Sequence, residues 1–181
     1  MRLGTRMRYG TRAMLFLALH AAEGPSNVQE IADDQNLSVK YLEQLMSALL
    51  ASGLVRSVRG AGGGYVLADP PDQIPLSRLL DVFEGPPGLV ECTCDPTACH
   101  RSPTCVTQEV WAEMYLACRQ VLENTTLADL VLRHHVKVAG AKVASAKVAG
   151  AKVASAKVAG AKVASAKVAG ATMMPERTLP F

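Results

Sequence analysis

The sequence is poor in aromatic residues and contains no long apolar run, and both shortages limit what the chain can be. Only 4% of its 181 residues are aromatic, and seven of the eight aromatic side chains precede residue 137. No apolar stretch approaches the ~18 residues that a membrane-spanning helix needs. The sequence also lacks the patterns of a serine hydrolase elbow, a P-loop, a zinc protease and a Rossmann dinucleotide site. We therefore expect neither a membrane partner nor an enzyme activity.

The N-terminus imitates a secretory signal peptide, because four arginines precede the apolar stretch from Ala13 to Ala22. His20 interrupts that stretch, and the residues after it continue the pattern of a folded domain. We therefore interpret the segment as an amphipathic helix of a cytoplasmic protein.

Charge and composition divide the chain. Residues 137–171 consist of seven five-residue units in which KVAGA alternates with KVASA. The net charge is +2 for residues 1–65, −6 for residues 66–136 and +7 for residues 137–181, so the overall charge of +3 comes from the tail. A five-residue period places lysines on every side of a helix and on both faces of a strand. We predict that the low-complexity tail, residues 137–181, is mostly disordered and that the residues before it form the folded body.

Apolar residues at helical spacing predict four helices in residues 1–85, which we assign to one domain. The first covers residues 8–22, the second follows a capping box at Ser26–Gln29, and the third begins at Ser38. Between the third and fourth helices, two β-like runs enclose a tip with four glycines between residues 60 and 64, which predicts a hairpin. Three helices followed by such a hairpin describe a winged helix-turn-helix.

Beyond this domain the sequence predicts a cysteine-rich loop over residues 86–105 and, over residues 106–136, a long helix followed by a short one that is capped near Thr126. The long helix has two apolar stripes: Val110, Met114, Ala117 and Val121 in one, and Trp111, Tyr115, Cys118 and Leu122 in the other. Two stripes are broader than one core face requires, which indicates a partner. The predicted fold class is therefore mainly α, with a small β-hairpin wing, a long dimerisation helix and a cysteine-rich loop.

The third helix is the second of the helix-turn-helix pair, and such helices enter the DNA major groove. Gln can pair with adenine, Glu can accept from cytosine, and Ser, Tyr and Lys can hold phosphates. The hairpin arginines suit a narrow minor groove, and the tip glycines let the backbone approach a phosphodiester. The predicted DNA-binding residues are Ser38, Lys40, Tyr41, Glu43, Gln44, Arg56, Arg59, Gly62 and Gly63. An ordinary solvated helix face with a plain flexible hairpin stays open as the alternative.

The cysteines are odd in number, which argues for metal or redox chemistry over a disulfide framework. They are Cys92, Cys94, Cys99, Cys105 and Cys118. The spacing of Cys92, Cys99 and Cys105 matches neither a zinc ribbon nor a ferredoxin. We expect Pro96 and Pro103 to keep the loop extended so that its thiols converge, which suits a soft metal or an iron–sulfur cluster. Structural zinc and unligated thiols stay open, and the mid-helix cysteine is expected to be a small buried hydrophobic residue.

Several segments of the sequence match the sequence pattern of a known protein family. They are Met1–Leu3, Arg8–Tyr9, Ala13–Leu15, Ala18–Leu19, Tyr41–Leu45, Gly53–Val55, Ser57–Gly60, Gly62–Tyr65 and the three spaced cysteines. Together they resemble the Rrf-two (Rrf2) family of bacterial winged-helix regulators, and within it the IscR-like iron–sulfur cluster regulators. The resemblance covers residues 1–132. It implies a homodimeric transcription regulator or repressor, held together by the long helix, that binds a partly palindromic double-stranded DNA operator. It also implies a 2Fe-2S or 4Fe-4S cluster whose loss changes the DNA affinity.

Single positions carry the resemblance further. Tyr41, Glu43 and Gln44 match the reading helix, Arg59 the wing arginine, and Cys92, Cys99 and Cys105 the cluster ligands. IscR-like members have a histidine three residues after the last cysteine, where this chain has Gln108, so the fourth ligand is open and Cys94 is the best protein candidate. A cluster-free regulator that responds to thiols or cysteine, and a zinc-stabilised interaction module, are the alternatives. Family members usually lack such a tail, and we predict that it adds non-specific DNA contacts, with a passive expansion of the repeat as the alternative.

Overall fold

The chain is mainly helical, with a β-hairpin between its third and fourth helices. The computed structural model describes residues 3–85 and 90–141. The elements in chain order are α1 Thr5–Leu19, α2 Val28–Gln35, α3 Val39–Ala51, β1 Val55–Val58, β2 Gly64–Leu67, α4 Leu76–Glu84, α5 Glu91–Cys94 and α6 Val106–Glu123. A last helix, α7, is described over residues 127–141. This order confirms the predicted fold class.

An apolar core joins α1, α2, α3 and α4. The predicted stripe on α3 contributes four fully buried side chains: Leu42, Leu45, Met46 and Leu49. The helix begins where it was predicted, because the Ser38 hydroxyl accepts a hydrogen bond of 3.3 Å from the Tyr41 N–H. Side chains three and four residues apart share one face, so burial of this stripe leaves the opposite face of α3 at the surface.

Two of the predicted helix starts are displaced. The first helix runs from Thr5 to Leu19 rather than over residues 8–22. The capping box of α2 lies one residue later than predicted: the Asn27 side chain accepts from the Glu30 N–H at 2.9 Å, and the Glu30 carboxylate accepts from the Asn27 N–H at 3.0 Å. Ser26 does not cap the helix, because it is buried and its backbone pairs with the hairpin.

The hairpin is attached to the helices through backbone hydrogen bonds. Strands β1 and β2 are antiparallel, with Val55 opposite Leu67. The Ser26 N–H donates to the Tyr65 carbonyl at 3.1 Å, and the Tyr65 N–H donates back to the Ser26 carbonyl at 2.8 Å. A Cβ on Gly64 would overlap the Ser26 carbonyl, so glycine is required for this approach. The bridge fixes the direction in which the hairpin leaves the body.

Helices α6 and α7 are tied to the body at the junction between them. The Leu76 N–H donates to the Thr125 carbonyl at 2.9 Å, and the Leu127 N–H donates to the Ile74 carbonyl at 2.9 Å. The predicted cap of the last helix is present, since the Asp129 carboxylate accepts from the Thr126 N–H at 2.8 Å. Within the described ranges, no helix combines the length and apolarity that crossing a bilayer requires.

Helix α7 is longer than the short helix that the sequence predicts. The chain divides into a unit of residues 1–134 and a second unit that begins at His135. The described residues of the second unit, 135–141, are helical and exposed, and they include the first KVAGA unit of the repeat. The predicted disorder of the remaining tail concerns residues 142–181, which lie outside the described residues.

Helix α1 packs closely on α4 at a glycine. The Phe83 side chain of α4 is 8% exposed, and a Cβ added at Gly10 would overlap its ring. Nearby, the Gly4 N–H at the start of α1 donates to the Glu84 carboxylate at 2.9 Å, which satisfies a terminal amide and places a negative charge at the helix N-terminus. The start of α1 and the end of α4 are therefore joined by both packing and capping.

Replacing Gly10 by alanine should destabilise the fold. Alanine gains about 1 kcal/mol of helix propensity over glycine, whereas overpacking costs about 1–3 kcal/mol. We therefore expect a net loss of up to about 2 kcal/mol in the free energy of unfolding, measured by urea denaturation with circular dichroism. The double variant Gly10→Ala/Phe83→Leu should recover part of this loss. A higher unfolding midpoint for Gly10→Ala would contradict the close packing of α1 on α4.

Candidate nucleic-acid interface and cysteine loop

The outer face of α3 presents the predicted reading residues to solvent. Ser38, Lys40, Glu43 and Gln44 are exposed, opposite the buried stripe of the same helix. Tyr41 is half-buried, and its ring meets the Tyr9 ring of α1 edge to face with centroids 6.2 Å apart. The aromatic contact holds Tyr41 at the edge of this face, and the Ser38 hydroxyl is held by the Tyr41 N–H that it caps.

The turn between α2 and α3 orients this face. Asn36 ends α2 in the left-handed conformation with φ 52°, which asparagine tolerates better than most residues. The next amide, of Leu37, donates to the Ala32 carbonyl at 2.9 Å. Ser38 then caps α3, so only two residues separate the end of α2 from the cap of α3. This geometry is that of a helix-turn-helix with α3 in the position of the reading helix.

The tip glycines of the hairpin are required by the turn itself. Gly60 and Gly62 have φ values of 112° and 79°, which side chains with a Cβ rarely adopt. A Cβ on Gly63 would overlap the Val58 carbonyl oxygen. The turn therefore explains these glycines without a ligand, and the predicted approach of Gly62 and Gly63 to DNA stays a prediction.

The two hairpin arginines lie in different surroundings. Arg59 is exposed and directly precedes the tip. Arg56 lies opposite Val66 in the middle of the hairpin and lines a cavity of about 320 Å³ with Leu17 and Pro70, among others. Arg59 is thus the arginine that the structure places next to the wing tip.

Cations of this surface are not neutralised by neighbouring carboxylates. Among the described residues, ion pairs are formed by Arg78 and Arg119 and by none of Lys40, Arg56 and Arg59. An unpaired cation on an exposed face keeps its full charge for an anionic ligand. The reading face and wing are therefore suited to a polyanion such as DNA.

Sequence reasoning missed a basic cluster on α1 beside the reading helix. The guanidinium carbons of Arg8 and Arg12 lie 5.8 and 5.4 Å from the centroid of the Tyr9 ring, which itself contacts Tyr41. Cation–π contacts at these distances hold arginines without removing their charge. The spacing of the two arginines around an aromatic residue is visible in the sequence, but the sequence analysis did not assign these arginines to the DNA-binding surface.

The cysteine loop is folded into short turns rather than extended, so the predicted effect of its prolines was wrong. Pro96 and Pro103 are early residues of single 3₁₀ turns, Pro96–Ala98 and Ser102–Thr104. Proline fits the first turn of a helix because its missing N–H would have no partner there.

The Asp95 carboxylate accepts from the Thr97 N–H at 2.9 Å and from its hydroxyl at 2.6 Å. These hydrogen bonds hold the pKa of Asp95 below its usual value.

The predicted convergence of the thiols is absent from the arrangement of the described residues. In residues 3–85 and 90–141 no three His, Cys, Asp or Glu side chains are grouped so that they could hold a metal ion. Cys92, Cys99 and Cys105 are half-buried and Cys94 is exposed. The Gln108 amide, at the position where a fourth ligand was expected, donates to the Cys92 carbonyl and joins the loop to α6. The soft thiol donors fit an iron–sulfur cluster in kind, although this arrangement does not assemble them.

Cys105 is the thiol whose surroundings favour the thiolate. Its sulfur lies 3.2 Å from the Thr107 hydroxyl, just before the first turn of α6. Hydrogen bonds from this hydroxyl and from the Gln108 backbone lower the pKa of Cys105 from its usual value. Cys118, which was expected to be buried, is only half-buried.

Helix α6 packs on the body with one stripe and exposes the other. In the packed stripe Tyr115, Cys118 and Leu122 are half-buried, whereas Trp111, its fourth predicted member, is exposed. The other stripe is exposed, with Val110 at 54%, Met114 at 39% and Val121 at 65% of the accessible surface of the free residue, and Ala117 exposed between them. A continuous apolar stripe of this kind marks an interaction surface.

One charged group links α4 to α6. The Arg119 guanidinium donates to both carboxylate oxygens of Asp81, at 2.6 and 3.1 Å, and to the Glu123 carboxylate at 2.9 Å. These partners, Asp81 first, hold the pKa of Arg119 above its usual value. The pair lines a cavity of about 640 Å³, together with Thr93 and Tyr115.

Comparison with known proteins places this architecture among transcription regulators. Residues 3–133 match the Rrf2 family, described as iron-dependent transcriptional regulators. Protein rrf2 of Nitratidesulfovibrio vulgaris is 40% identical over 131 residues, which are 72% of this chain and 87% of that protein. CymR, the global cysteine regulator of B. subtilis, is similar in structure with a TM-score of 0.63 and 41% identity over 74% of this chain and 98% of that chain. IscR of T. potens gives a TM-score of 0.62 and 38% identity over 74% of this chain and 88% of that chain.

Proposed function

The chain belongs to the Rrf2 family of DNA-binding transcriptional regulators, which are not enzymes, and on this premise we propose that it reads operator DNA with α3 and the β1–β2 wing. The observation that carries this proposal is the exposed surface of α3 and the wing, whose cations Lys40, Arg56 and Arg59 lack carboxylate partners among the described residues. Since operator DNA is its ligand, the regulator acts in the bacterial cytoplasm.

Each predicted residue has a role that its chemistry suits. Glu43 and Gln44 read base edges in the major groove, because a carboxylate accepts from cytosine and an amide pairs with adenine. Ser38, Lys40 and Tyr41 contact the flanking phosphates. Wing residues act in the adjacent minor groove: Arg59 supplies the charge, and Arg56, Gly62 and Gly63 lie along the same hairpin.

Arg59→Ala should weaken operator binding by about 1–3 kcal/mol and leave the fold intact, because the exposed side chain makes no core contact. Fluorescence anisotropy with an operator duplex measures the affinity, and circular dichroism verifies the fold. Arg133→Ala is the matched control, since it removes an exposed arginine from α7 rather than from the wing. If both variants bind like the unaltered protein, the wing plays no part in recognition.

The exposed stripe of α6 supports a homodimer. Burial of apolar area stabilises association by about 25 cal/mol for each Å² removed from water. The four stripe residues are uncharged, and pairing this stripe with the same stripe of a second copy creates a symmetric interface. A two-fold dimer presents two reading helices, which matches a partly palindromic operator.

Val110→Glu should weaken the dimer, because the two-fold axis places a carboxylate on both sides of the apolar interface. Sedimentation equilibrium should show a dimer dissociation constant raised at least tenfold, with helical content unchanged. Val90→Glu makes the same substitution at an exposed valine outside α6 and should leave the dimer intact. A protein that is monomeric before any substitution would contradict the proposed interface directly.

For the sensing function, the cysteine loop is proposed to hold an iron–sulfur cluster, 2Fe-2S or 4Fe-4S. Cys92, Cys99 and Cys105 would be the thiolate ligands, with Cys94 as the candidate for the fourth. Support comes from the soft donor set, from the lowered pKa of Cys105 and from the description of the family as iron-dependent. When bound, a cluster supplies a redox- and iron-sensitive group. The chain's own contribution is the Gln108–Cys92 contact, which joins the loop to α6, and the Arg119–Asp81 pair, which joins α6 to the DNA-binding body.

A cluster-free regulator that responds to thiols or cysteine is the second candidate. It is favoured by the ungrouped thiols of the described loop, by the Gln108 amide, which donates to the Cys92 carbonyl where IscR-like members have a histidine, and by the similarity to the global cysteine regulator CymR. Zinc on the same thiols is the alternative metal. Membership of a regulator family favours both candidates over a zinc-stabilised interaction module that has no operator.

Anaerobic purification distinguishes these candidates. A coloured protein with iron and acid-labile sulfide supports the cluster, a colourless protein with zinc supports the zinc site, and a metal-free protein supports the thiol regulator. If a cluster is present, alanine at any of the three ligands should abolish the visible absorbance, since two thiolates rarely retain a cluster. Cys118→Ala is the control and should keep the spectrum. Cys94→Ser should shift the spectrum if Cys94 is the fourth ligand and leave it unchanged otherwise.

A further inference from the structure

Two arginines of α1, Arg8 and Arg12, lie beside the reading helix but outside the predicted set of DNA-binding residues. They are four residues apart, so they share one side of the helix, and both are exposed. Their guanidinium carbons lie 5.8 and 5.4 Å from the centroid of the Tyr9 ring. One aromatic ring therefore gathers two positive charges at one place on the surface.

Tyr9 also connects this pair to the reading helix. Its ring meets the Tyr41 ring edge to face, and Tyr41 lies in the first turn of α3 at the edge of the exposed face. In helix-turn-helix proteins, one helix enters the major groove while a neighbouring helix crosses the sugar–phosphate backbone. With α3 in the groove, the backbone that borders the groove would pass next to this edge, where the two arginines lie.

The charge of the pair is available to a ligand. In the described ranges, ion pairs are formed by Arg78 and Arg119, and neither Arg8 nor Arg12 has a carboxylate partner there. A cation–π contact supplies attraction but no oxygen acceptor, so the guanidinium N–H donors remain available. Arginine binds a phosphate through two parallel hydrogen bonds. The ring contact also restricts both side chains beforehand, which lowers the entropy cost of ordering them on a ligand.

We propose that Arg8 and Arg12 are a phosphate clamp, which binds the DNA backbone beside α3 and is supported by the Tyr9 ring. The inference rests on the proposed function for its ligand, DNA. The clamp adds affinity and fixes the position of α3 over the groove, whereas base selection stays with Glu43 and Gln44, because phosphate contacts carry no sequence information.

A carboxylate of a second copy is the competing occupant of the two arginines, since residues 66–136 carry a net charge of −6. In that case the arginines would stabilise the dimer, and their removal would raise the dimer dissociation constant without changing the affinity of the dimer for DNA. The two occupants therefore affect two separate measurements.

The test uses three full-length variants. Arg8→Gln/Arg12→Gln removes both charges, and Arg8→Lys/Arg12→Lys keeps them. Arg6→Gln is the matched control, because Arg6 is an exposed arginine of the same helix whose guanidinium lies 5.9 Å from the ring of Phe83 on α4. Anisotropy titrations between about 50 and 200 mM salt measure binding to an operator selected from a random duplex pool and to a scrambled duplex. Sedimentation equilibrium measures the dimer, and circular dichroism verifies the fold.

The double glutamine variant should bind both duplexes more weakly by the same factor, at least about fivefold at the lowest salt. Each phosphate contact contributes about 0.9 to the slope of log affinity against log salt, so the slope should fall by between about 1 and 2. The lysine variant should keep the slope and lose part of the affinity, because lysine lacks the planar fork of arginine. Arg6→Gln should bind like the unaltered protein.

An unchanged slope for the double glutamine variant would overturn the proposal. An equal loss for each charge removed by Arg6→Gln would also overturn it, since net charge rather than position would then determine the affinity. A weakened dimer with unchanged DNA affinity would assign the arginines to the second copy instead. If the unaltered protein binds both duplexes equally, the proposed reading function fails, while the slopes still decide whether the arginines bind phosphate. A protein that binds neither duplex contradicts both.

Discussion

The contact of α4 with α1 is the constraint on which the rest of the structure depends. Phe83 occupies the space above Gly10, and Glu84 caps the first turn of α1. Helix α4 also holds Arg119 of α6 through Asp81, and the residues before it pair with the α6–α7 junction. The Arg119–Asp81 pair and the Phe83–Gly10 contact therefore connect α6 to α1 through α4, and α1 contacts α3 where Tyr9 meets Tyr41. In the proposed function, these contacts are the route by which a movement of the cysteine loop and α6 would reach α3.

Local chemistry made much of the fold predictable. The Ser38 cap follows from local capping, and the apolar stripes of α3 and α6 follow from side-chain periodicity; both act within a few residues. Ser26 shows the limit of local reasoning. Its side chain suits a helix cap, but its backbone pairs with the backbone of Tyr65, almost forty residues later in the sequence, and Asn27 caps the helix instead. The Gly10 contact is equally non-local, since nothing near Gly10 indicates that a ring from α4 will lie above it.

The candidate sites were predictable to different degrees for a physical reason. The exposed face of α3 follows from its buried face, because the helical period fixes which side chains lie opposite the buried ones. The cysteine loop has no such periodicity, and proline is compatible with both extended chain and the first turn of a helix. The grouping of thiols also depends on the free energy that a metal or cluster supplies when it binds, which the chain alone does not contain. The identity of the donors is therefore readable from the sequence, whereas their arrangement is not.

Charge divides the proposed activities between regions of the chain. Acidic residues dominate the half that holds the cysteine loop and α6, while the cations of α3 and the wing lack carboxylate partners among the described residues. DNA is therefore attracted to the reading face and repelled from the sensing half, which favours one orientation of the complex. In the proposed dimer, the same acidic excess would oppose the pairing of two copies through α6, so the apolar stripe would have to outweigh it. Salt screens both effects, and it therefore strengthens association between copies while it weakens the binding of DNA.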